Sequence, residues 1–100
     1  MKHNDRREFL LAAALKVAEK RGYQKVTREL AANEAGVSPG LVQYHFNSMG
    51  ELRHAMIKEA VRLENIPVLA QALGQLHPDA TAAPEELQEK AFNYIKKGVL

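Results

Sequence analysis

The residues best placed to do chemistry lie in the stretch "EAGVSPGLVQYHF", residues 34 to 46. On a helix opening at Pro39, with about 100° between successive residues, Val42 and Phe46 point the same way and join the core with Val37. Gly40 and Tyr44 point the opposite way, flanked by Leu41 and Gln43. This outward face has a bare backbone at its start, a carboxamide beside it, a phenol one turn later and no charge. Such a surface does little for solubility and suits a DNA groove. Gly40 admits close approach of the helix start, Gln43 offers the donor and acceptor pair suited to adenine, and Tyr44 combines ring contact with a hydrogen bond. Leu41 can meet a thymine methyl. Ser38 and the first amides of that helix can hold a phosphate, as can Thr27 and Arg28 at the start of the preceding one.

Other chemistries find little support. No paired carboxylate, nucleophile triad or phosphate loop is visible, and no spaced base accompanies Ser38, so no catalytic residue is expected. The absence of cysteine removes disulfides, thiolate metal sites and cysteine nucleophiles, and agrees with a cytoplasmic home. His3, His54 and His77 have no partner at ligand spacing, so neither metal nor cofactor is expected. His45 is either a structural histidine or a phosphate contact. Lys2, Arg6 and Arg7 form either a solvated terminus or an arm on the DNA backbone. Phe92, Tyr94 and Ile95 read as core or dimer interface.

The elements that must position these residues are helices, and the fold class read from the sequence is all-α. The chain has 100 residues, 46% of them apolar, with Gly and Pro scarce, which is the composition of one small globular domain. Residues 1 to 50 carry eight Lys/Arg against five Asp/Glu, a net +3, whereas residues 51 to 100 carry six against seven, a net −1. The basic half thus holds the candidate DNA face. The start "MKHNDRREFLLAAALKVA" mimics a secretory leader, but Lys16 interrupts its apolar run, and it reads as a helix of the mature protein. No stretch has the length of a membrane span.

Leu10, Ala13, Ala14, Val17 and Ala18 keep helical spacing from about Asp5, a plausible N-cap, to Arg21, and Gly22 closes that helix. Thr27 caps "RELAANEA", with Leu30, Ala31 and Ala35 turned inward. Gly36 then breaks the chain, and Ser38 with Pro39 restarts it, giving a helix-turn-helix. Ser48 and Glu51 form a capping-box pattern opening a fourth, longer helix to about Asn65, with Leu52, Ala55, Met56, Ala60 and Leu63 on one side. Pro67 breaks or kinks the chain before a short apolar helix with Val68, Leu69, Ala72, Leu73 and Leu76. "HPDATAAP" reads as a loop, and Pro84, Glu85 and Glu86 start a last short helix with Leu87, Ala91, Phe92 and Ile95 on its apolar side.

"VTRELAANEAGVSPGLVQYHFNSMGEL", residues 26 to 52, resembles the N-terminal DNA-binding domain of tetracycline-repressor-type (TetR family) regulators. The shared features are the Thr opening the second helix, the "AGVS" turn, the Gly two residues later, the aromatic-His-Phe ending and the Leu beginning the fourth helix. With Gly22 and Tyr23 the resemblance spans about residues 8 to 60. It implies phosphate contacts for Thr27, Ser38 and His45 and base contacts for Pro39, Gly40, Gln43 and Tyr44, with Arg28 near the backbone or a groove edge. Gln43 stands where the family usually has Tyr, Met49 where it usually has a phosphate-contacting Lys, and Ala31 where a larger aliphatic residue is commoner.

Together these readings give a DNA-binding helix-turn-helix region over residues 1 to 50 and a helical dimerisation region over 51 to 100. The function implied is a transcriptional regulator, a repressor, binding an inverted-repeat operator in double-stranded DNA as a homodimer. Only about forty residues follow the fourth helix, too few for the inducer cavity that the family's larger second domain provides. The alternative is a protein-protein interaction module on a helix-turn-helix scaffold.

Overall fold

The computed structural model describes residues 3–98, with side chains from Asp5 onward. Lys2 and the side chain of His3, read above as arm and unpartnered histidine, lie outside the described residues. Helices make up the described fold, in the order α1 (His3–Arg21), a 3-10 turn (Tyr23–Lys25), α2 (Arg28–Ala35), α3 (Pro39–His45), α4 (Met49–Arg62), α5 (Ile66–Gly74), α6 (Pro78–Thr81) and α7 (Glu85–Lys96). The chain divides within α4 into two compact units, Met1–Met56 and Ile57–Leu100.

In the first unit α1 packs on α2, and α2 on α3. The buried side of α1 is wider than its spacing suggests: Leu11 and Leu15 join Leu10, Ala14, Val17 and Ala18 at 4% exposure or less. Asp5 sits in the first turn and is not the N-cap, because the helix already begins at His3. The Gly22 amide donates to the Ala18 carbonyl, and its φ of 97° is a conformation open to glycine and costly to other residues. Val26 and Tyr23 are buried behind that turn. Burial raises the Tyr23 phenol above its ordinary pKa of 10.0, a rise that the nearby Arg53 charge partly offsets. Phe46, Leu52 and Met56 complete the core, each at 1% exposure or less. Lys20 bridges to Glu34 at 3.0 Å between α1 and α2, an exposed pair contributing about 1 kcal/mol or less.

In the second unit α5 packs on α7 and on α6. Val68, Leu69, Ala70 and Ala72 are all fully buried, so α5 is covered on most of its circumference, while α7 buries Leu87 and Ala91. The Asn65 carboxamide oxygen accepts from Val68 N–H at 3.3 Å and caps α5, and Pro67 lies in its first turn, where a missing N–H costs nothing. The fourth helix therefore ends at Arg62, three residues before the expected Asn65. Leu63, expected on its apolar side, is 54% exposed.

Between α5 and α7 the "HPDATAAP" segment, expected as a loop, holds one further turn of helix. His77 is the reason: its Nδ1 accepts from Asp79 N–H at 3.1 Å, an imidazole acting as the N-cap before Pro78. Gln88 then fastens the segment by donating to the carbonyls of Thr81 at 3.0 Å and Ala83 at 2.7 Å.

Candidate nucleic-acid interface

Thr27 and Gly36 set the two ends of α2. Thr27 takes an extended conformation as N-cap, and its Oγ1 accepts from Leu30 N–H at 3.1 Å. Its hydroxyl hydrogen is not used in that bond and can be donated to a phosphate. Gly36 adopts φ 72° and ψ 32°, the left-handed conformation that turns the chain from α2 towards α3.

Ser38 is the N-cap residue of α3, yet its hydroxyl makes no capping bond, and Pro39 occupies the first turn. Ser38, Pro39, Gly40, Gln43 and Tyr44 are all exposed, Tyr44 at 70%. Val42 and Phe46 are buried on the opposite side, as the helical wheel requires, and Val37 is half-buried. The structure thus brings the outward residues together on one seven-residue helix that carries no acidic or fully charged side chain.

Gly40 is informative because it is not needed for space. A Cβ built there would meet only Ser38 Oγ at 3.8 Å, an ordinary contact, and the residue is not among the positive-φ glycines. A glycine in a helix costs about 0.5–1 kcal/mol relative to alanine. Neither the space around Gly40 nor its backbone conformation calls for a glycine.

Other predicted residues are placed differently from the exposed set. Arg28 is half-buried, and its Nε is buried without a hydrogen-bond partner among the described residues. Leu41 is half-buried and lines a cleft of about 340 Å³ with Arg6, Phe9, Leu10 and Val37. His45, expected as a phosphate contact or a structural histidine, is buried at 8% exposure with its ring edge-on to Tyr44 at 5.1 Å between centroids, and both ring nitrogens are buried, which favours the structural role over the phosphate contact. Gln43 donates from Nε2 to the Asn47 carbonyl at 2.8 Å. Arg7 lies over the Phe46 ring at 4.9 Å, a cation–π contact that draws it out of the proposed arm.

Phe9 is the neighbour that sequence reasoning passed over. It is 45% exposed and stands beside Leu41 in the cleft. A large aromatic one residue outside the buried stripe of α1 was the available signal.

Residues 10–56 match the family described as bacterial regulatory proteins, tetR family. Over that segment the chain is a TetR-type helix-turn-helix domain. It is a DNA-binding transcription regulator of the helix-turn-helix type, with α2 and α3 as the two helices of the motif. No curated protein and no solved structure matches the chain. Among the described residues no helix is long and apolar enough to cross a membrane.

Proposed function

We propose that this chain is a homodimeric repressor that binds an inverted-repeat operator, with α3 reading bases in the major groove. The observation that carries the reading is Gly40, a glycine on the exposed face of α3 that neither space nor backbone conformation calls for. Pro39, Gly40, Gln43 and Tyr44 touch bases, Leu41 meets a methyl at the groove edge, and Ser38, Thr27 and Arg28 hold phosphates.

Support for the dimer comes from residues 57 to 98, where Leu63 is 54% exposed, Leu76 77% and Phe92 49%. Apolar side chains of this size on a small unit suit a self-complementary two-fold contact, which would set two recognition helices about 34–36 Å apart. Residues 51 to 100 form the dimerisation region.

A salt titration on duplex DNA tests the reading. Counterion release by the basic residues of the first unit predicts a loss of affinity of about 100-fold or more between about 50 and 200 mM salt. Affinity for duplex DNA that ignores salt would sink the proposal, and absence of DNA binding in a folded chain would favour a protein-interaction module.

A further inference from the structure

The bond from Gln43 Nε2 to the Asn47 carbonyl, 2.8 Å long, crosses the end of α3. Asn47 stands between two fixed points: the Phe46 amide donates to Val42 O at 2.9 Å to close α3, and Ser48 Oγ accepts from Glu51 N–H at 3.0 Å to open α4. The Asn47 carbonyl is therefore held in place. A carbonyl oxygen only accepts, so the Gln43 carboxamide cannot turn over without setting Oε1 against it. One N–H is committed, and Oε1 with the second N–H remains for a ligand.

We propose that the Asn47 main-chain carbonyl orients the Gln43 carboxamide before DNA arrives, so that Gln43 selects adenine and rejects guanine at one position of each half-site. The inference rests on the reading of α3 as the base-contacting helix and adds the device that sets its specificity. Adenine presents a donor at N6 and an acceptor at N7 in the major groove, which matches one remaining acceptor and one remaining donor. Guanine presents acceptors at both O6 and N7. A Gln43 restrained by Asn47 has a single N–H to offer, and its Oε1 then faces an acceptor. The rotamer freedom of the long side chain is lost on folding and not on binding, which favours the matched base further.

Two measurements on the full chain decide the matter. In the DNA-free protein the Gln43 side-chain amide should show one hydrogen protected from exchange relative to the exposed side chain of Gln75. Equal exchange at the two residues overturns the orientation. Selection from random duplexes should enrich adenine over guanine at one position by at least about fivefold. Gln43→Glu, with no N–H for Asn47 and acceptors alone for the groove, should move that position towards cytosine. Adenine and guanine selected equally by a chain that binds DNA specifically would overturn the inference while sparing the DNA-binding reading. A folded chain that binds no duplex overturns both.

Discussion

The turn that ends α2 and the turns that end α4 and α5 share one hydrogen-bond pattern but not one residue type. After α2, Val37 N–H donates to Ala32 O at 3.0 Å and Gly36 N–H to Asn33 O at 3.2 Å, with Gly36 left-handed at φ 72°. After α4, Asn65 N–H donates to Ala60 O at 2.8 Å and Glu64 N–H to Val61 O at 3.2 Å, with Glu64 at φ 54°. After α5, His77 N–H donates to Ala72 O at 3.0 Å and Leu76 N–H to Leu73 O at 2.9 Å, with Leu76 at φ 55°. This paired closure of a helix end favours glycine at the left-handed position. Left-handed backbone costs an L-residue about 1–2 kcal/mol, so the family-matched unit makes its turn without strain and the second unit makes two with it. The strained turns persist because the helices around them are over-determined by burial, as in α5 with Val68, Leu69, Ala70 and Ala72 fully buried.

The largest test of the two-unit contrast removes a core side chain from each. Phe46→Ala should cost about 3–5 kcal/mol and Leu69→Ala about 2–5 kcal/mol, since both are buried to 1% exposure or less. Residue-resolved hydrogen exchange should place the first loss in Met1–Met56 and the second in Ile57–Leu100. Protection lost equally throughout the chain by either variant would show that the two units open as one.

Gly36→Ala comes next. A Cβ there meets nothing within 4 Å, so its cost is conformational and should be about 1–2 kcal/mol in denaturant unfolding. A neutral result would mean that the turn relaxes, and the assumed rigidity between α2 and α3 would be wrong. Gly40→Ala should have two opposite effects: stability unchanged or raised by up to about 1 kcal/mol, and operator affinity reduced about tenfold or more. Unchanged affinity in a stable variant would remove the close approach on which the DNA reading rests.

The same contrast explains what was legible in the sequence. Gly22, Thr27, Gly36, Ser38 and Pro39 are residues whose local preferences coincide with the turns they occupy, so the helices of the first unit and the outward set on α3 could be placed from spacing. After Arg62, Pro67 and Pro84 marked where α5 and α7 begin, but the ends of α4 and α5 carried no such punctuation. Glu64 and Leu76 occupy positions that propensity assigns to glycine, and His77 caps α6 with an imidazole where an oxygen is usual, so α4 read three residues too long and α6 read as loop. The burial of His45 and the bond from Gln43 to Asn47 depend on side-chain placement that the helical wheel does not determine.

Leu76 offers the smallest and most discriminating change. It is 77% exposed, so replacing it forfeits little burial within the chain, and at φ 55° it carries left-handed strain. Leu76→Gly removes that strain, about 1–2 kcal/mol, but gives back about 0.5–1 kcal/mol through the freer unfolded chain. The net expectation is a gain of about 1 kcal/mol or less, with Leu76→Asn at least as good because asparagine tolerates this conformation without glycine's entropy. Both are measured by denaturant midpoint at low protein concentration. Should stability instead fall, and fall more as protein concentration rises, Leu76 would be buried against a second copy of the chain. The strained leucine would then mark part of the proposed dimer contact. A fall independent of concentration would mean that the left-handed leucine is supported from within its own unit, and the dimer would have to rest on Leu63 and Phe92.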